Sequence, residues 1–439
     1  MTRRPLLQAF LGTLATNGVI ILTGMATGIL AARLLGPEQR GALTVLMFWP
    51  GLLAGIGLLS LNEAAIYRRN ATAASPARFV STLFWLSLAL AALVAAPAAL
   101  ALPFLLGQER AGLLPVARLY LLLFLPFNFL ALALLAVDQA DLRFRRFNLL
   151  RILPSATYLV AMLVLWFAGS ISAVTFLWAS WLGTLLTALL RAGMRWRELW
   201  HLPDPREARA LIGRASAFHV TALIGILGSQ MDRLLVVRLF EDAEIGLYVV
   251  ALTLAATAVN GLGTAVSTVL FPAIAAGTDR AAALRRLAAA MRQMVLVTGL
   301  CVLALAGALP WLLPLLFGKA FAAAVPIAIL LSFAFGPLAL RQILVRSLRA
   351  FGAARAGTIS EAVTVALFFL LSWPAVAMLG LAGVPIALLG ANLVGLWVIG
   401  LRLKSHYQLR WRRWLWPGSE WRDHLRALVS LVVARRVVP

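Results

Sequence analysis

Apolar runs long enough to cross a bilayer as helices recur along the whole chain, separated by short polar breaks. A helix needs roughly 20 apolar residues to span the hydrocarbon core. On that length the pattern predicts twelve spans, at 10–32, 41–61, 79–106, 113–137, 149–168, 170–190, 215–238, 245–274, 288–316, 322–346, 356–378 and 380–401. The expected fold class is therefore an all-α polytopic membrane protein.

The basic residues order these spans. With the N-terminus in the cytoplasm and the sides alternating, 32 of the 39 basic residues fall on cytoplasmic segments and 7 on outer ones. Such a bias, repeated at loop after loop, is the signature of cytoplasmic positive charge, and it supports both the span count and the orientation. Both termini are expected in the cytoplasm. The longest polar connector, 191–214, follows span 6 and reads as a basic cytoplasmic linker between an N-lobe (1–190) and a C-lobe (215–401). The tail, 402–439, is basic and Trp-rich (RWRRWLWPGSEWRDH). Trp beside Arg favours the headgroup layer, so a cytoplasmic interfacial helix is expected there.

Composition narrows the class further. Of 439 residues, 62% are hydrophobic and 13% charged, and mean hydropathy is +0.93. Soluble domains carry about 25% charged residues, so large aqueous domains are excluded. A net charge of +23 would suit nucleic acid if it formed one patch; here it is spread between apolar runs, which excludes that partner. The single cysteine, Cys301, permits no intrachain disulfide. The opening MTRRPLLQAF lacks a small-residue cleavage site and reads as the start of a retained first helix. Abundant Ala and Leu, with Arg far ahead of Lys, point to a GC-rich bacterial genome and so to a bacterial inner membrane.

The chain also repeats itself. AARLLGPEQRGALTVL at 31–46 echoes VVRLFEDAEIGLYVVAL at 236–252: Arg33 aligns with Arg238, Leu34 with Leu239 and Gly41 with Gly246, at an offset of 205. PFLLG at 103–107 matches PLLFG at 314–318, at an offset of 211. Each half holds six spans, an even number, so both enter from the same side and the repeats are parallel. Two such lobes suggest a transporter with its path at the lobe interface. The turns after spans 1 and 7 are then equivalent corners, placed where an outward gate would close.

ARLLGPEQRGAL after a first span, and SQMDRLLVVRLFEDAEIGLYVVAL in and after span 7, resemble the bacterial lipid-linked oligosaccharide (O-antigen unit) flippases of the multidrug/oligosaccharidyl-lipid/polysaccharide exporter superfamily. The resemblance runs across spans 1–12. It implies a V-shaped two-lobe transporter working by alternating access. It further implies transport of an undecaprenyl-diphosphate-linked glycan from the cytoplasmic to the periplasmic leaflet, with membrane lipids and a polysaccharide polymerase as neighbours. The chain carries few Lys and no acidic cluster deep in its spans, so coupling to protons or sodium stays open.

Charges at membrane depth are costly and are functional candidates by default. Arg offers a planar fork suited to phosphate oxygens. Span 7 holds His219, Gln230, Asp232 and Arg233; the spacing puts His219, Gln230 and Arg233 on one face and turns Asp232 about 100° away from Arg233. Arg33 ends span 1. Arg341, Gln342, Arg346 and Arg349 approach the cytoplasmic end of span 10. Asn17 and Asn260 are polar points in spans 1 and 8, where an amide serves either a sugar or a neighbouring helix; Asn62 and Glu63 lie beside span 2. The expected substrate-binding residues are Arg33, Arg233, Arg341, Gln230, Asp232, Asn17 and Asn260, with Asp232 and Glu361 as coupling candidates. Each has a plainer reading: snorkelling or positive-inside anchoring for the arginines, helix-to-helix hydrogen bonds for the amides, an ion pair for Glu361. GMATG and GLLAG are small-xxx-small patterns that permit close helix packing.

No HExxH, GxSxG or P-loop occurs, and FGKAF at 317–321 lacks the P-loop spacing. Neither an enzyme, nor a metal site, nor a cofactor is expected. The rivals are a drug/cation antiporter of the same superfamily, which would want deep acidic residues, and a membrane glycan polymerase or ligase, which would want a large outer loop. With both lobes in one chain, a monomer suffices.

Overall fold

The computed structural model describes residues 3–69, 71, 75–275, 280–351, 353–407, 414 and 415, with side chains from residue 11 onward except at 260–280, 349–350, 354 and 406–407. Among the described residues every regular element is helical. The helices are α1 (Arg3–Gly57), α2 (Leu61–Arg69), α3 (Pro76–Leu106), α4 (Leu114–Ala140), α5 (Phe144–Phe167), α6 (Ala173–Met194), α7 (Trp196–Leu199), α8 (Pro205–Leu239), α9 (Asp242–Ala275), α10 (Arg280–Phe317), α11 (Val325–Ala350), α12 (Ala354–Leu379) and α13 (Gly383–Tyr407). Among the described residues ten stretches are long and apolar enough to cross a membrane. Two of them, Leu11–Arg69 with 59 residues and Arg355–Ser405 with 51, each exceed twice the roughly 20 residues of one crossing. Twelve crossings result, and the chain is a multi-pass membrane protein.

The predicted first outer turn is not a loop. Spans 1 and 2 form one hydrogen-bonded element that bends at Gly36 (φ 71°, ψ 178°) and resumes at once with Pro37. Glycine takes that dihedral without steric cost, and proline suits the start of the second arm. The second arm breaks at Leu59 and Ser60, both with positive φ. The long connector is also mostly helical: it comprises the end of α6, the turn α7 and the first turns of α8, where Asp204 accepts from the amides of Arg206 and Glu207 ahead of Pro205. The expected tail helix lies outside the described residues.

The repeat is written into local structure. Gly107 ends α3 and Gly318 ends α10, both with positive φ. Each is followed by a six-residue 3-10 turn, Gln108–Leu113 and Lys319–Ala324, and then directly by α4 or α11. Gly169 and Gly380, again 211 apart, both have positive φ before the next pair of helices. The copies also differ: the first pair of arms is one element bent at Gly36 where α8 and α9 are separate, and the arm after Gly36 breaks at 58–60 whereas α9 runs on.

By packing, the chain forms two compact units. One comprises Met1–Thr253 and Pro310–Ile327, the other Leu254–Leu309 and Ala328–Pro439. Apolar burial alone gives little drive between helices in lipid, so close packing and interhelical hydrogen bonds hold them. In the first unit, Phe129, Ala133 and Leu134 of α4 are fully buried, and Gly183 of α6 brings its backbone against Pro154 of α5. In the second, Leu287 and Met291 of α10, Leu344 of α11, and Ile399 and Leu403 of α13 share one core with Trp414.

Candidate functional site

In the first unit, one face of α8 turns toward α1 and its continuation. The His219 ring lies 3.4 Å from the Ser60 hydroxyl. Two turns further along, Ile226 packs over Gly55. Gln230 and Arg233 continue the same face at i+4 and i+7 from Ile226. Both carry a buried atom without a protein partner, Oε1 of Gln230 and Nε of Arg233; an Arg233 Nη2 donates only to the Ser229 carbonyl of its own helix, at 3.3 Å. Asp232 faces elsewhere: it is buried and accepts from the Tyr248 hydroxyl of α9 at 2.9 Å.

The other predicted residues divide between the units. Arg33 donates from Nε to the Leu316 carbonyl at 2.7 Å and from Nη2 to that of Leu315, so it caps the end of α10. Asn17 accepts from Arg151 of α5 at 2.9 Å. The side chain of Asn260, like that of Arg349, lies outside the described residues. In the second unit Arg341 and Glu361, 20 residues apart, meet at 2.5 Å. Arg341 is thus the ion-pair partner of Glu361 within the spans.

The two repeat corners, at 36–41 and 240–246, carry a geometry that spacing could not reveal. A Cβ on Gly41 would stand 1.7 Å from the Asp242 carbonyl oxygen, and one on Gly246 would stand 2.0 Å from that of Pro37. The pairs 37/242 and 41/246 share the repeat offset, so the two contacts are reciprocal. The arginines follow suit. Arg33 holds the PLLFG end of α10, while Arg238, its equivalent, lies over the Phe104 ring of PFLLG, 5.3 Å from the centroid. One feature is unpaired: Arg110 donates to Asp242 at 2.7 Å and to the Phe240 carbonyl at 2.9 Å.

Sequence reasoning missed a second cluster, at the junction of α2, α4, α5 and α7. Arg195, 2% exposed, donates to Asp138, 0% exposed, at 2.9 Å and to Asp141 at 3.1 Å. Arg69 reaches Asp141 at 2.8 Å, and Arg146 lies 3.3 Å from Asp138. Nearby, Arg68 binds both carboxylate oxygens of Glu207, at 2.7 and 2.9 Å. Burial alone would push the Asp141 carboxyl up, but the hydrogen bonds and charges of Arg69 and Arg195 hold it below its usual range. Counting these arginines only as orientation signals hid their partners; Asp138 and Asp141, three residues apart at a helix end in an acid-poor chain, were the available clue. Arg40 and Trp49 were likewise passed over, yet each has a buried nitrogen without a protein partner. Among the described residues no group of three His, Cys, Asp or Glu could hold a metal ion.

The chain is therefore a multi-pass helical membrane protein with an internal repeat and with unsatisfied polar atoms inside its spans. The family model for polysaccharide biosynthesis proteins matches residues 29–326, and the chain belongs to that family. No curated protein matches the sequence. Among solved structures the chain is similar to the lipid II flippase MurJ in an inward closed conformation, with a TM-score of 0.77 at 14% identity over 90% of this chain and 87% of that one. It is also similar to an inward-facing multidrug resistance MATE family transporter of the MOP superfamily (TM-score 0.68, 16% identity, 89% and 96% covered). A MOP superfamily transporter from Pyrococcus furiosus shares the fold as well (0.56, 16%, 90% and 94%). The family is thus polysaccharide biosynthesis, and the fold is the one these solved structures share.

Proposed function

We propose that the protein is a flippase that moves an undecaprenyl-diphosphate-linked oligosaccharide from the cytoplasmic to the periplasmic leaflet of a bacterial inner membrane. The observation that carries this reading is the pair Gln230 and Arg233. Buried polar atoms are almost always hydrogen-bonded, and inside a bilayer an unmet one is costlier still. Two adjacent turns of α8 leave an acceptor and a guanidinium donor without protein partners. A glycan hydroxyl suits the amide oxygen, and a phosphate oxygen suits the guanidinium. The family match supports the same chemistry.

In this reading an N-lobe (1–190) and a C-lobe (215–401), joined by 191–214 and followed by the basic tail 402–439, rock against each other while the polyprenyl chain stays in lipid. The reciprocal corner contacts at Gly41 and Gly246 are the closed outer gate. Both termini are cytoplasmic, a monomer performs the cycle, and a polysaccharide polymerase receives the product. The drug/cation antiporter is less well supported, because both acidic candidates are engaged: Asp232 by Tyr248 and Glu361 by Arg341. A polymerase or ligase would need a large outer loop; the two 3-10 turns at that end have six residues each.

The test is to remove the protein from its cells and extract polyprenyl-diphosphate lipids. Glycan units trapped on the cytoplasmic leaflet are expected. Normal lipid turnover with unchanged surface glycan would refute the reading, and units accumulating on the periplasmic side would indicate the polymerase.

A further inference from the structure

In the second unit, Nη1 of Arg341 on α11 donates to Glu361 on α12 at 2.5 Å. The arginine side chain is 1% exposed and the carboxylate 23%, so the pair opens on the Glu361 side. Nε of Arg341 has no protein partner. Behind the guanidinium, α13 comes in close: a Cβ on Gly395 would stand 3.1 Å from Cδ of Arg341 and 2.1 Å from the Thr364 hydroxyl. The Ser360 hydroxyl donates to the Gly395 carbonyl at 2.8 Å. One turn away, Asn392 donates to the Ala334 carbonyl at 3.3 Å, and its own oxygen lacks a protein partner.

Among the described residues of the second unit, cations outnumber carboxylates. Glu361 is the only carboxylate among the described residues of the second unit, while Arg292, Arg341, Arg355 and Arg402 place a cation on each of α10, α11, α12 and α13. A buried arginine left without an anion is strongly unfavourable, so Arg341 requires a counter-charge at every stage. A half-open single carboxylate supplies one that a stronger anion can replace. A diphosphate carries more charge and more oxygens than a carboxylate, and matches the guanidinium fork.

We propose that Glu361 is a tethered, displaceable counter-ion, and that Arg341 beneath it is the seat of a diphosphate group. This deepens the flippase reading and rests on it for the assignment of that diphosphate to a lipid carrier. Entry of the diphosphate turns Glu361 aside; its departure lets Glu361 close back on Arg341. The guanidinium is never bare, and the returning carboxylate helps expel the product. No proton is needed for the exchange.

The test titrates the purified full-length protein in detergent with farnesyl diphosphate, and separately with inorganic pyrophosphate, by calorimetry. Glu361→Gln removes the competitor and should tighten diphosphate binding about tenfold, while Arg341→Gln should abolish the gain in a Glu361→Gln background. Unchanged or weaker binding in folded Glu361→Gln overturns the proposal. Should that variant not fold, Glu361→Asp, whose shorter side chain retracts from Arg341, is expected to tighten binding by a smaller factor, and no tightening there overturns it equally. A preference for farnesyl diphosphate over pyrophosphate assigns the seat to a lipid carrier; equal affinities assign it to a soluble diphosphate. If the carboxylate variants bind as wild type while deletion still traps lipid-linked glycan, this inference fails and the flippase reading stands. If deletion traps none, the flippase reading fails by itself.

Discussion

Gly41 and Gly246 stand 205 residues apart, and each lies against the backbone of the other's corner, Gly41 on Asp242 and Gly246 on Pro37. The contact is self-complementary in the way of a two-fold interface, where residue i meets j and j meets i. The symmetry here is between two copies within one chain. Only hydrogen at Cα permits such an approach, because the opposing atoms are backbone and cannot turn away.

Gly41→Ala and Gly246→Ala should therefore push the corners apart. With Cys301→Ser as background and Gln230→Cys as reporter, a membrane-impermeant thiol reagent should label the glycine variants several-fold faster than their parent. Gly51→Ala, in the same helix but with nothing within 4 Å of the added carbon, should label like the parent. Equal rates in all three would remove the gate assignment.

Asp138 and Arg195 hold the junction of α4 and α7 from positions of 0% and 2% exposure. Removing one partner of a buried pair leaves the other charge uncompensated, at a cost of about 3–5 kcal/mol. Asp138→Ala should lower the melting temperature in detergent sharply. The double change Asp138→Leu with Arg195→Met should restore most of it, because replacing both charges by apolar groups removes the desolvation penalty as well. A double variant no better than Asp138→Ala would show that the remaining partners, Arg146 and Asp141, depend on these charges as much as the pair does on itself.

Acid should loosen the same junction. A carboxyl held below its usual range stabilises the fold at every pH above its unfolded value, and that contribution is lost as pH falls through the folded value. For Asp141, held down by Arg69 and Arg195 against its own burial, the stabilisation is complete above about pH 5 and fades below about pH 4. Melting temperatures measured downward from neutral pH should fall less steeply for Asp141→Asn than for wild type. Parallel curves would refute the assignment.

Gln230 and Arg233 separate from Asp232 by function. Arg233→Ala and Gln230→Ala remove groups without protein partners at Nε and Oε1, so they should leave stability within about 1 kcal/mol of wild type. In complementation of deleted cells, however, they should fail to clear the trapped glycan. Asp232→Asn keeps an oxygen for the Tyr248 hydroxyl; it should transport normally if Asp232 only anchors α9, and lose transport if its charge couples the cycle.

Several features needed no coordinates. Span length, the alternation of basic residues and the repeat at offsets 205 and 211 are one-dimensional patterns, and the bilayer imposes them locally on each segment. They yielded the all-helical class, the twelve crossings, the shared face of His219, Gln230 and Arg233, and the equivalence of Arg33 with Arg238. Helical periodicity also separated Asp232 from Arg233, though it could not name Tyr248 as the partner. What tertiary structure decided was pairing. That Arg195 answers Asp138, that Arg341 answers Glu361, and that Gly41 rests on Asp242 depend on which helices become neighbours and at what height. A span's apolar text says that a helix crosses the membrane; it carries almost no information about its rotation and depth against another apolar helix, because lipid and helix are equally oily and only a few polar atoms and close backbone contacts distinguish one packing from the next.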